Sequence, residues 1–179
     1  MNIRFVNRTD LVIFLVCLID LVLLSINVIF GSVILLYVSG IFSFVLLIFW
    51  AIKEDSLGML RRSLIIGGIG GFLYSFVDRL FVDNHIIVYL RTEDIHIYRT
   101  PLSVTLVWMY FCVIMLYLYQ RLRSYFSRVY IPSLISGATA LFLSFIFNYI
   151  GTNSRQWVWN VIGFPKTSIG QVPLFVPLA

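Results

Sequence analysis

Ser63-Leu64-Ile65-Ile66-Gly67, at the head of an apolar run, returns seventy positions later as Ser133-Leu134-Ile135-Ser136-Gly137. In the same register Phe72-Leu73 matches Phe142-Leu143, Asp78 falls opposite Asn148, Asp83 opposite Asn153, and Val88-Tyr89 opposite Val158-Trp159. After a two-residue insertion, Pro101-Leu102-x-Val104-x-Leu106 matches Pro173-Leu174-x-Val176-x-Leu178. Short apolar matches between membrane helices arise by chance, because the alphabet is small. An ordered series of helix, polar loop, aromatic residue and Pro-Leu start is harder to obtain that way. The expectation is a membrane unit present twice, and repeat-built membrane proteins usually place their site where the repeats meet.

The composition fixes the solvent. Hydrophobic residues make up 60% of the chain and charged ones 12%, with a mean hydropathy of +0.97. A soluble domain carries about a quarter charged residues, so there is too little polar surface here to cover a water-soluble globule. The net charge of +5 does not point to nucleic acid, because the cations sit in short clusters between apolar runs, as membrane topology requires. Cys17 and Cys112 both fall inside apolar runs and read as small packing residues. Arg4 and Arg8 ahead of the first run resemble a signal peptide, but the run is long and has no small-residue cleavage site. It reads as a retained first helix.

A helix needs about twenty apolar residues to cross the hydrocarbon core. Leu11–Phe30, Ser32–Ile52, Ser63–Val82, Leu102–Tyr119 and Tyr130–Ile150 meet or approach that length. A sixth run begins near Ile169 and is too short to cross before Ala179. Two readings stand: a sixth helix cut short, which the repeat favours, or a re-entrant stub. The chain therefore divides into an N-terminal helix pair (1–62), a first repeat (63–128) and a second, incomplete repeat (129–179). With the N-terminus in the cytoplasm, Arg4, Arg8, Lys53, Arg61, Arg62, Arg121, Arg123 and Arg128 lie inside. Arg91, Arg99, Arg155 and Lys166 lie outside, with Arg79 at the outer boundary. That bias obeys the positive-inside rule and makes the two repeats parallel.

The two outer loops are rich in polar and aromatic residues. Asp83–Thr100 holds His85, Tyr89, Arg91, Glu93, Asp94, His96, Tyr98 and Arg99, and the alternation of Ile86, Val88 and Leu90, then of Ile95 and Ile97, suits a short hairpin or an interfacial segment. Gly151–Gly170 carries Trp157 and Trp159. Tyr and Trp prefer headgroup depth, so the loops either anchor the protein at the interface or line an entrance for substrate. The histidines lack any metal-ligand spacing, and no metal or cofactor is expected.

Inside the spans, Asp20 must face the bundle, as a functional acid or as a hydrogen-bonded packing residue. Asp78 lies late in the third span and aligns with Asn148, so two polar groups converge where the repeats meet. Gly67, Gly68, Gly70 and Gly71 sit within a span, which suits close helix packing and not phosphate binding.

Pro165-Lys166-Thr167-Ser168-Ile169-Gly170-Gln171-Val172-Pro173-Leu174-Phe175-Val176-Pro177-Leu178-Ala179 resembles a stretch of the polytopic carotenoid biosynthesis proteins that include the carotenoid hydratases. Pro101-Leu102-Ser103-Val104-Thr105-Leu106-Val107-Trp108 is similar and reaches the Trp that commonly follows in that family. Asn148 and Trp157-Val158-Trp159 stand where the family has an acidic, Gly-Tyr-rich stretch. The resemblance implies protonation of a terminal isoprenoid double bond and addition of water. That chemistry needs a carboxylic acid in a dry pocket and aromatic faces for the cation. Asp78 and Asp20 would be the acids, and Trp157, Trp159, Tyr89, Trp108 and Asn148 would hold the substrate.

The sequence thus predicts an all-α polytopic transmembrane helix bundle, with five full spans, a truncated sixth and two parallel two-helix repeats. Its expected partner is a membrane lipid or carotenoid, which it binds or modifies. The rival expectation is a non-catalytic accessory subunit that braces a larger complex of membrane subunits.

Overall fold

A computed structural model of the chain describes residues 7–54, 58–160, 168–169 and 172–173. It is 77% helical and contains five helices long and apolar enough to cross a membrane. They are α1 (Arg8–Phe30), α2 (Val33–Glu54), α3 (Met59–Asp83), α4 (Leu102–Arg123) and α5 (Tyr130–Asn153). The expected sixth span falls outside the described residues. Among the described residues are six short strands, three between α3 and α4 and three after α5: β1 (Ile87–Tyr89), β2 (His96–Ile97), β3 (Thr100–Pro101), β4 (Trp157–Trp159), β5 (Ser168–Ile169) and β6 (Val172–Pro173).

The helix ends follow from local chemistry. Asn7 and Asp10 form a reciprocal cap on α1: the Asp10 amide donates to Asn7 Oδ1 at 2.7 Å and the Asn7 amide to Asp10 Oδ2 at 2.9 Å. Gly31, at φ +56°, ends α1 in the left-handed region, where a side chain would be strained. At that end of the chain's path Tyr37 of α2 and Ser103 of α4 both donate to Asp94. At the other end Arg121 of α4 pairs with Asp10 of α1 at 2.9 Å, and Gln120 reaches Ser63 of α3 at 2.9 Å. Successive helices therefore alternate in direction, as a sequence of crossing spans requires. We call these the hairpin end and the distal end.

α4 is the central helix. Its Tyr110, Val113, Ile114 and Tyr117 form one core with Ile13 and Val16 of α1, Leu47 and Ala51 of α2, and Leu60 of α3. The closest pairing is α3 with α4, and glycine is what permits it. A Cβ at Gly67 would lie 2.7 Å from the Val113 backbone, and one at Gly71 would lie 2.3 Å from Met109 Cα. Small residues thus bring two backbones together without polar forces, as lipid-embedded packing demands. The outward faces carry large apolar side chains, among them Phe14, Ile29, Ile34, Ile52 and Leu134.

At the hairpin end the same backbone turn occurs after α3 and after α5. The amides of Asn84, His85 and Ile86 donate to the carbonyls of Leu80, Val82 and Phe81. The amides of Ser154, Arg155 and Gln156 donate to those of Ile150, Thr152 and Gly151. His85 and Arg155 share a left-handed φ, +57° and +55°. The strands that follow pair with each other: β1 and β4 are antiparallel, with Ile87 opposite Trp159, Val88 opposite Val158 and Tyr89 opposite Trp157. Leu90 N donates to Gln156 O at 2.9 Å and Asn160 N to Ile86 O at 2.8 Å, closing the pair from both sides. Of the stretches expected to form a short hairpin or an interfacial segment, Ile87–Tyr89 pairs with the other loop, whereas His96–Ile97 turns back on Thr100–Pro101 within its own loop. The hairpins within the loops are β2–β3 and β5–β6, with His96 opposite Pro101 and Ser168 opposite Pro173.

Candidate functional site

β1 and β4 roof a cavity of about 360 Å³ between α3, α4 and α5. Each element contributes for a local reason. α3 lies against α4, and α5 also leans on α4 without packing along α3, so a cleft is left between them. The strand pair closes its hairpin end with Ile87, Tyr89, Trp157 and Trp159. Trp157 is seated by the absence of a side chain beneath it: a Cβ at Gly151 would fall 2.0 Å from its ring. At the matching places after α3 the bulk is exchanged, with Phe81 on the helix and the smaller Ile87 on the strand.

Asp78 is the one ionisable carboxylate on this wall, among the described residues, and it is 4% exposed. Tyr89 Oη donates to its Oδ2 at 2.7 Å, and Thr100 Oγ1 donates to the same oxygen at 2.7 Å. Two hydroxyls saturate Oδ2, which leaves Oδ1 to whatever enters the cavity. Burial, reinforced by the Asp78 carboxylate, holds the Tyr89 phenol well above its ordinary pKa, so Tyr89 stays a donor. Arg79, next in sequence, turns away and pairs with Asp83 at 3.1 Å, so Asp78 has no cationic partner from its own helix.

Asn148 faces the same cavity from α5, its amide donating to its own helix at Ser144 O, 2.9 Å away. The floor is aromatic. Trp108 of α4 meets Tyr74, Phe111 and Phe147 with ring centroids 4.9, 5.3 and 5.4 Å apart. Tyr89 and Phe147 in turn flank Trp157, at 6.1 and 5.3 Å. The indole N–H groups of Trp157 and Trp159 are buried and find no acceptor among the described residues.

Six of the seven residues expected from sequence meet here: Asp78, Tyr89, Trp108, Asn148, Trp157 and Trp159 all line one cavity. Asp20 does not. It lies 3% exposed between α1 and α2, accepting from Ser39 and Ser43 Oγ at 2.6 Å each, and it touches a separate cavity of about 240 Å³. Sequence reasoning missed Thr100, Tyr74 and Ser144. Thr100 had a signal: it precedes Pro101-Leu102 where Val172 precedes Pro173-Leu174, so a hydroxyl replaces an isosteric methyl.

The site can present one carboxyl oxygen to an apolar molecule surrounded by aromatic faces. Such faces stabilise a developing cation by about 0.5–2 kcal/mol each. The chain matches no protein-family model, no curated protein and no solved structure.

Proposed function

We propose that this is a multi-pass membrane protein, N-terminus in the cytoplasm, that binds the end of a long apolar isoprenoid such as a carotenoid in the Asp78 cavity. The observation that carries this reading is a buried carboxylate with one oxygen saturated and the other open, in an otherwise apolar, aromatic cleft. The volume lies near the low end of ligand pockets, roughly 300–1,000 Å³, which suits a chain end. Arg8, Lys53, Arg61, Arg62, Arg121, Arg123 and Arg128 gather at the distal end, which supports placing that end in the cytoplasm.

Tandem duplication is part of the proposal. It is supported by the recurrence of one turn and one left-handed residue at a spacing of seventy, and of the β2–β3 register in β5–β6 at a spacing of seventy-two. The β1–β4 pair is centred on Val88 and Val158, the equivalent residues, as an approximate two-fold axis between copies would require.

The chemistry implied by the family resemblance fits this cavity. Asp78, protonated on Oδ1, gives its proton to the inner CH carbon of the terminal double bond, and the tertiary cation forms at the outer, dimethyl-bearing carbon beside Trp108 and Trp159. A water molecule adds to that carbon and its surplus proton returns to Asp78, so the sum is addition of water across the double bond. Tyr89 and Thr100 hold Oδ2 and thereby aim Oδ1.

The test is an absorption spectrum and particle size after purification in mild detergent. A co-purified polyene on a particle of single-chain size supports the reading; a colourless chain found only within a large assembly would sink it. That second outcome is what an accessory subunit predicts. Its specific support is the outward face of α5, where Leu134 is 73% exposed and Phe142 65% exposed. Orientation is checked by labelling single cysteines at Ser127 and at Arg99 with a membrane-impermeant reagent: from outside, the Arg99 site is expected to react.

A further inference from the structure

α5 is flanked by space on both sides. The Asp78 cavity lies on its α3 side, where Ala140, Leu141 and Ser144 face it. The cavity of about 240 Å³ lies on its α1 side, between Leu18 and Leu21 of α1, Met115 of α4, and Leu143 and Ile146 of α5. Trp108 and Phe111 of α4 belong to the walls of both. These two residues are one helical turn apart on the surface of α4 that lies beneath α5. Trp108 is tied to α5 through its ring contact with Phe147, at 5.4 Å, whereas Phe111 has no ring contact with α5 among the described residues. α5 therefore has apolar space to either side of it, and Trp108 and Phe111 form the part of α4 that the two spaces share.

We infer that the two cavities are one ligand site: the chain whose end lies at Asp78 runs beneath α5, past Phe111, into the cavity between α1, α4 and α5. This deepens the reading given above and rests on it. The first cavity by itself takes a chain end. With the second added, the site reaches the middle of the range for ligand pockets and selects an elongated, flexible or conjugated apolar chain over a short or branched one. The second cavity is walled almost wholly by aliphatic and aromatic side chains, as the interior of such a chain requires. Its single carboxylate, Asp20, has an oxygen bonded to each of Ser39 and Ser43. That arrangement leaves Asp20 satisfied by the protein, and the ligand passing beside it makes no demand on it.

The test compares a long acyclic polyene, lycopene, with a short isoprenoid alcohol, geraniol, each titrated into the full chain in detergent and read by quenching of tryptophan fluorescence. The wild type is expected to bind lycopene at least about tenfold more tightly than geraniol, since buried apolar chain adds affinity. Met115→Trp fills the second cavity from α4, and Leu143→Trp fills it from α5. Each should remove the preference for lycopene while leaving geraniol binding within about twofold, which also shows that the variant is folded. Lycopene bound as tightly by both variants as by the wild type would overturn the continuous site and leave the Asp78 cavity standing. A wild type that binds neither compound removes the functional reading itself, and the inference with it.

Discussion

The α3 half and the α5 half make the same turn, extend the same short strand and lean on the same central helix, yet only one of them holds an acid. In the α3 half Asp78 is clasped by Tyr89 and Thr100. In the α5 half the corresponding positions carry Asn148, Trp159 and Val172. The carboxylate and both its hydroxyl donors are absent together there. That is what desolvation enforces: a buried carboxylate without donors is costly, and buried donors left without an acceptor cost about 1–3 kcal/mol each.

Making the α3 half resemble the α5 half tests this directly. The largest effect is expected from Asp78→Asn, the α5-half residue placed in the α3 half. If the cavity hydrates an isoprenoid end, turnover should fall on the order of a hundredfold or more, the usual worth of a general acid, while bound polyene is retained. Unchanged turnover, measured by product chromatography, would remove Asp78 from the mechanism.

Next in size is a pair at matching positions. Gly67→Ala pushes a methyl group against the Val113 backbone, 2.7 Å from the ideal Cβ, so α3 must move off α4. A loss of roughly 1–3 kcal/mol is expected, as for other overpacked contacts. Gly137→Ala meets open space and should be neutral or stabilising by up to about 1 kcal/mol, the helix-propensity gain of alanine over glycine. Thermal unfolding in detergent compares the two, and equal effects would mean that the halves pack alike.

A smaller change is expected from Thr100→Val, which imports the residue of the α5 half. Asp78 keeps the Tyr89 hydroxyl and loses one donor, worth about 0.5–1.5 kcal/mol for a hydrogen bond to a neutral carboxyl group. Tyr89→Phe should cost a similar amount. A double variant that costs no more than either single change would show that the two donors act as one clasp.

Much of the architecture was legible in the chain. Apolar run length gave the five spans, because a membrane helix must satisfy its backbone internally over a fixed thickness. The seventy-residue register sets Asp78 against Asn148, and both line one cavity. The strand pairing was not legible. The alternation at Ile86–Leu90 suits a strand but cannot name its partner, and the partner proved to be Val158 and its neighbours in the other loop. Thr100 was missed because a lone threonine before proline has no pattern of its own. Asp20 was placed with Asp78 on residue type and depth, and it lies instead between Ser39 and Ser43 of α2.

What the sequence by itself determined was the apolar character of the chain and its five spans, since hydropathy and run length act along the chain and need no partner. What the tertiary structure decided was which polar groups meet. Asp78, Tyr89 and Thr100 are brought to one oxygen by the close α3–α4 contact at Gly67 and Gly71 and by the strand roof. A carboxylate buried in an apolar bundle is stabilised only by donors within hydrogen-bond reach, and reach is set by backbone packing rather than by sequence order.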